Sequence, residues 1–192
     1  MKLVIVDLGC GNIGSVRLAL GRFGIAPTVS ADAAEIAGAD KVILPGVGAA
    51  GHAIERVDAL GLRDTLTTLR QPALGICLGM QLLFDRSEEA GVECLGIIPG
   101  QVRALDPEPG RPVPHMGWSR VEVRDARIGI DDGEYLYFAH SFACDDGPAT
   151  AAAASYGRPV PAVVRHQNWL GAQFHPERSG AAGARFLQSF LQ

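Results

Sequence analysis

No stretch of the 192-residue chain approaches the ~18 consecutive apolar residues of a membrane-spanning helix. The opening apolar run, Leu3 to Val6, is cut by Asp7 and is too short for the core of a secretory signal. Charge of either sign is not in excess. Lys and Arg number 17 against 21 Asp and Glu, a formal net charge of −4, which gives no basis for nucleic-acid binding. Cysteine is scarce. Cys10, Cys77, Cys94 and Cys144 show neither metal-ligand nor disulfide spacing, and a free reactive thiol fits a reducing, cytoplasmic setting. No internal repeat and no domain boundary is visible, so residues 1–192 are expected to form a single domain. An apolar share of 47% suffices for an ordinary globular core.

In the first half, strand and helix patterns alternate. Leu3–Asp7, Pro27–Ser30, Val42–Leu44 and Ala73–Ile76 have strand character. Asn12–Phe23, Ala50–Val57, Leu62–Leu69 and Gln81–Asp85 have helical character. Such alternation predicts an α/β fold with a mostly parallel sheet flanked by helices. The second half adds strands at Val102–Leu105, Ser119–Val123, Tyr135–Phe138, Phe142–Cys144, Ala162–Arg165 and Trp169–Phe174, an antiparallel region. Alanine-rich Ala149–Ser155 is assigned to a further strand. Asp106–Pro112 is an irregular connector, and Ser179–Leu191 is a terminal helix.

Two segments carry chemistry. The first is Gly75-Ile76-Cys77-Leu78-Gly79, where a short apolar strand meets a helix-forming run. A nucleophile elbow needs small residues on both sides of such a turn. With 4 Cys and 24 Gly in the chain, chance alone supplies about 0.06 Gly-x-Cys-x-Gly matches. Cys77 at a helix N-terminus gains thiolate character from the helix dipole. The backbone N–H of Leu78 points to where an oxyanion would form. The same residues also suit a buried structural cysteine between two packing glycines.

The second segment is His175-Pro176-Glu177, at the end of the strand from Trp169. Pro176 leads the chain rigidly out of the sheet. His175 and Glu177, two residues apart, can lie on one side, so that Glu177 holds one imidazole nitrogen while the other faces Cys77. A helix start with an acidic first turn is the alternative for this tripeptide. Cys77, His175 and Glu177 are therefore the candidate catalytic residues.

The elbow, extended to Met80-Gln81, together with Gln173-Phe174-His175-Pro176-Glu177 resembles the class I glutamine amidotransferases. Leu44-Pro45-Gly46-Val47-Gly48, His115-Met116-Gly117-Trp118 and Tyr137-Phe138-Ala139-His140-Ser141-Phe142 resemble the branch of that family serving histidine biosynthesis. The resemblance spans nearly the whole chain and implies a flavodoxin-like α/β fold with no cofactor and no metal. It implies that Cys77 attacks the side-chain amide of glutamine, with backbone N–H groups of Val47 and Leu78 as the oxyanion hole. Gly48, Gln81, Ser141 and Phe142 would hold the substrate. Ammonia would pass to a (β/α)8-barrel cyclase subunit in a heterodimer. That cyclase would make imidazole glycerol phosphate and an aminoimidazole ribotide, and it would meet this chain at Asn12, Met116, Gly117 and Trp118. The chain departs from the family pattern at Leu8, Cys10, Ser119 and Phe142, the last replacing a tyrosine and so removing a hydroxyl. For Pro45–Gly48 a plain strand-to-helix turn is the alternative, and for Met116 with Trp118 a core pair.

Gly9-x-Gly11-x-x-Gly14, followed by Asp32, also matches a dinucleotide-binding fingerprint. That function would leave the elbow and His175-Pro176-Glu177 without a purpose, and would leave little chain for a substrate domain. A catalytically idle flavodoxin-like interaction module is a third possibility. Cys10 is expected to be a small buried residue. His52, His115, His140 and His166 are expected to be structural, with His140 close to the substrate.

Overall fold

The computed structural model describes residues 1–192. The strands are β1 (Leu3–Val6), β2 (Thr28–Ser30), β3 (Lys41–Gly46), β4 (Ala73–Cys77), β5 (Phe84–Ser87), β6 (Val92–Glu93), β7 (Ile98–Ala104), β8 (His115–Val123), β9 (Tyr135–His140), β10 (Phe142–Cys144), β11 (Thr150–Tyr156), β12 (Arg158–His166) and β13 (Trp169–Ala172). The helices are α1 (Ile13–Gly21), α2 (Ala33–Ala37), α3 (Ala50–Ala59), α4 (Arg63–Thr68), α5 (Leu78–Gln81) and α6 (Gly180–Leu191).

A nine-stranded sheet runs in the order β2-β1-β3-β4-β13-β12-β11-β8-β9. From β2 to β13 the neighbours are parallel; from β13 to β9 they are antiparallel. A second sheet, β10-β7-β5-β6, has four strands. The parallel strands β1 (LVIV) and β4 (ALGIC) are buried at every position, as expected for strands covered on both faces. Period-two alternation sorts their side chains. Val4, Val6, Val42 and Leu44 enter one core, beneath α3 and the small sheet. Leu3, Ile5, Ile43, Leu74 and Ile76 enter the other, beneath α1 and α6. No helix is long and apolar enough to cross a membrane.

Several elements differ from the sequence patterns; β6 was not expected, and β7 and β12 each begin four residues early, at Ile98 and Arg158. Helix α5 lasts a single turn, and Phe84–Asp85 belong to β5, not to a helix. Phe84 is a core residue, and the Asp85 carboxylate accepts the Gly100 N–H at 2.8 Å. Pairing with β7 thus overrides local helix propensity. The short helix α2 had no apolar period to reveal it; Asp32 caps it by accepting the Glu35 N–H at 2.8 Å. Strand β8 begins at His115, four residues before the strand expected at Ser119, and so includes His115–Trp118. The alanine-rich segment is a strand as expected. Ala151–Ala154 are all buried between β12 and β8, where bulkier side chains would crowd both faces.

Candidate active site

The elbow is built by close backbone packing. Cys77 ends β4 with φ +53° and ψ −110°, a conformation that non-glycine residues rarely adopt, and α5 begins at the next residue. A Cβ on Gly75 would lie 2.6 Å from the Gly79 carbonyl oxygen, and one on Gly79 would lie 1.9 Å from that of Leu44. The glycines flanking Cys77 are therefore demanded by the packing of α5 onto β3 and β4. Gly46 pairs with Cys77 across β3–β4, and its own Cβ would meet the Gly79 nitrogen at 2.8 Å. Its smallness serves packing first. Gly48, at φ +95° with open space around it, is the glycine whose backbone requires the left-handed region. Val47 and Leu78 are thereby brought to one rim, beside the sulfur.

His175 follows β13, which runs parallel to β4 with Ala172 opposite Ile76. Its backbone N–H donates to the Tyr137 carbonyl at 2.9 Å, and its carbonyl accepts from Ser179 Oγ at 2.8 Å. The imidazole Nδ1 lies 2.9 Å from Glu177 Oε1. A carboxylate only accepts, so Nδ1 carries the proton and Nε2 is left for Cys77. The two side chains are 9% and 2% exposed. Burial works against charge on His175, but the hydrogen bonds and charges of Cys77 and Glu177 outweigh it, raising its pKa to about 10. Glu177 Oε2 is buried without a donor, so the Glu177 charge is answered by His175 alone. These three side chains have the mutual arrangement of a nucleophile, a base and an orienting acid.

A cleft of about 450 Å³ opens over them. Cys77, His175, Val47, Leu78, Gly48, Gln81, Ser141, Phe142, Asn12 and Met116 all line it. Glu177 stands behind His175. Gly117 and Trp118 lie outside the lining, on the same strand as Met116. Met116 is 65% and Trp118 52% exposed, so they are not a core pair. The Trp118 indole meets the Tyr137 ring edge-on at 5.9 Å, and the Arg178 guanidinium lies 4.4 Å over that ring. His140 lines the cleft, whereas His52 is exposed on α3 and His166 ends β12.

Sequence patterns missed Gln173, Glu89, Pro114 and Arg178. Only Gln173 had a usable signal. It stands two residues before His175 in an extended segment, and so shares its face. Glu89 is remote in sequence; its carboxylate accepts the Ala50 N–H at 2.7 Å.

The glycine-rich loop after β1 is turned to structural use. Arg56 Nε donates to the Leu8 carbonyl at 3.0 Å. Asn12 caps α1, and Asp32, the would-be ribose acid, is occupied as the cap of α2. Leu8 is buried. Cys10 is half-buried rather than buried. Burial raises its pKa and outweighs the lowering effect of the Arg56 charge, so Cys10 is not an activated thiol.

A family model described as Glutamine amidotransferase class-I matches residues 4–192. The imidazole glycerol phosphate synthase subunit HisH of Escherichia coli (strain K12) is 49% identical over 196 residues, covering 100% of both chains. The HisH subunit of Salmonella typhimurium (strain LT2) is 48% identical with the same coverage. Among solved structures, one described as a glutamine amidotransferase superposes with a TM-score of 0.77 at 20% identity, covering 100% of this chain and 97% of that one. PurLQS from Thermotoga maritima gives 0.71 at 21% identity, covering 99% and 97%. These two likenesses speak for the fold. The chain belongs to the class I glutamine amidotransferase family and, within it, to the HisH subunits of imidazole glycerol phosphate synthase.

Proposed function

We propose that this chain, acting as one amidotransferase domain in the cytoplasm, hydrolyses glutamine to glutamate and ammonia. The ammonia passes to a (β/α)8-barrel cyclase subunit that makes imidazole glycerol phosphate and an aminoimidazole ribotide in histidine biosynthesis. The observation that carries this is an elbow cysteine and a buried histidine lining one cleft, with the glutamate that orients the histidine behind it.

The thiolate of Cys77 adds to the side-chain amide carbon of glutamine. The resulting oxyanion is held by the N–H groups of Leu78 and Val47, each donor contributing on the order of 3 kcal/mol. Imidazolium His175 gives its proton to the departing nitrogen, releasing ammonia and leaving a thioester on Cys77. Neutral His175 then takes a proton from water, whose oxygen attacks the thioester. Glutamate leaves and the proton returns to the Cys77–His175 pair. Glu177 keeps Nδ1 protonated and stabilises the cation throughout. Gly48, Gln81, Ser141 and the Phe142 backbone hold the glutamine. Free ammonia becomes ammonium in water, so it must travel through a sealed passage into the partner. Asn12, Met116, Gly117 and Trp118 form the docking face.

The test is release of glutamate and ammonia from glutamine by the chain paired with its cyclase, with incorporation of the nitrogen into the cyclase product. Incorporation of glutamine nitrogen at the rate of glutamate formation is expected. Glutamate release with no transfer would remove the channelling step, and no release at all would remove the activity.

A further inference from the structure

Gln173 is completely buried, one residue beyond β13 and two before His175. Phe174 between them packs beneath α6 against Phe186, so in this extended segment Gln173 and His175 share the other face, and both side chains reach Cys77. A buried amide must have its polar atoms paired, and here each has a specific partner. Gln173 Oε1 accepts from Gln81 Nε2 at 3.0 Å, and Gln173 Nε2 donates to Cys77 Sγ at 3.7 Å.

The direction of that amide is enforced from outside. Gln81 Nε2 also donates to the Phe142 carbonyl at 2.8 Å, which fixes it as the nitrogen of Gln81. The Gln173 atom facing it is then an oxygen, and the N–H₂ is turned to the sulfur. The Phe142 carbonyl accepts a second bond from His140 Nδ1 at 2.8 Å. His140 Nε2 is therefore an acceptor, bonded by His115 Nδ1 at 3.0 Å. His115 Nε2 in turn accepts from Ser119 Oγ at 2.8 Å. Donors thus converge on the Phe142 carbonyl from both sides. A carbonyl holds no proton to pass on, so this network cannot conduct one from Ser119 to Cys77. It holds groups in place.

We propose that Gln173 is a positioning residue for the Cys77 nucleophile: its N–H fixes the sulfur and favours the thiolate, aimed by Gln81 and the Phe142 carbonyl. A donor to an ionised acceptor is roughly twice as strong as one to a neutral acceptor. The bond therefore helps the reactive thiolate more than the thiol, and weakens once the sulfur is acylated. This rests on Cys77 being the nucleophile.

Gln173→Glu keeps the shape and the acceptor for Gln81 and, as a carboxylate, replaces the N–H at the sulfur with a negative charge that opposes the thiolate. Gln173→Met removes the polar group at the same length. Each variant, paired with the partner subunit, is assayed for kcat and KM with glutamine. The rate of iodoacetamide alkylation at Cys77 is followed against pH by peptide mass spectrometry. The expected result is kcat lower by about 10-fold or more with KM changed less than about twofold. Alkylation at neutral pH should slow at least ~3-fold, its profile displaced to alkaline pH. Lost turnover with an unchanged alkylation profile would mark Gln173 as merely structural and overturn the proposal. So would wild-type behaviour of Gln173→Glu. Cys77→Ala is run alongside. If that variant still hydrolyses glutamine, the nucleophile assignment itself fails; if it is inactive while Gln173→Glu behaves as wild type, only the role of Gln173 falls.

Discussion

Cys77 combines a positive φ with flanking glycines that tolerate no Cβ, so the elbow is held by backbone packing and not by the cysteine side chain. Replacing the sulfur should therefore remove chemistry without disturbing the fold. Cys77→Ala and His175→Ala are each expected to lower glutamine hydrolysis by at least ~10⁴-fold with association to the partner intact, whereas Glu177→Gln should retain more activity. Steady-state assays beside thermal unfolding check this; hydrolysis by Cys77→Ala at wild-type rate would remove the assignment. Gly79→Ala should act the opposite way. Its Cβ would overlap the Leu44 carbonyl oxygen, so a stability loss of about 3 kcal/mol is expected in urea unfolding. At this scale the triad was legible, because spacing and residue type together define it. The place of Gln173 on the face of His175 was legible from their spacing, but its role was not, since that depends on Gln81, 92 positions from it, and on Phe142, 61 positions from Gln81.

Strand β8 carries two different faces. Outward it presents Met116 and Trp118; inward it buries His115 between Phe138 and Tyr156, with ring centroids 4.8 and 4.0 Å away. Trp118→Ala should weaken association with the cyclase by at least ~1 kcal/mol. Because the indole is half exposed, monomer stability should stay within about 0.5 kcal/mol. Sedimentation and chemical unfolding separate the two effects, and unchanged association would take Trp118 out of the interface. Burial lowers the pKa of His115 to about 4. Burial, against a hydrogen bond to Phe142, lowers that of His140 to about 3. An unfolded histidine titrates near 6.5. Below that pH the unfolded chain binds more protons than the folded one, so stability is lost as pH falls from 6.5 toward 4. From pH 7 to pH 5 each histidine should remove roughly 2 kcal/mol. His115→Phe should flatten the slope by about its own share; an unaltered slope would mean that His115 is not buried neutral. Most strands were legible from apolar runs and alternation. The short strands β5 and β6 were not: Phe84 and Asp85 carried helical character, and the partner of β5, β7, lies beyond the local sequence.

Across the whole molecule, the parallel half of the large sheet supplies Cys77 and the Gly46–Gly48 rim, while the antiparallel half supplies β8 and β9. A partner docked on β8 thus touches the same cleft that holds the nucleophile. The alternation of strands and helices foretold the parallel half, but no local pattern told that β13 would lie beside β4 and carry His175 to Cys77. Glutamine hydrolysis without an acceptor wastes nitrogen, so the isolated chain is expected to be nearly silent, with the Gly46–Val47 peptide turned carbonyl-first to the oxyanion position. Partner plus its nucleotide ligand would favour the flipped peptide. A tenfold activation requires about 1.4 kcal/mol of differential stabilisation. Equal glutaminase rates for the chain alone, with cyclase, and with cyclase plus nucleotide would eliminate the switch. The role of the cleft is tested most directly by an electrophilic glutamine analogue, with the adduct located by peptide mass spectrometry. One adduct per chain on Cys77, formed in proportion to lost glutaminase activity and blocked by glutamine, is the predicted result. Modification at Cys10, or full modification of Cys77 with activity retained, would contradict it.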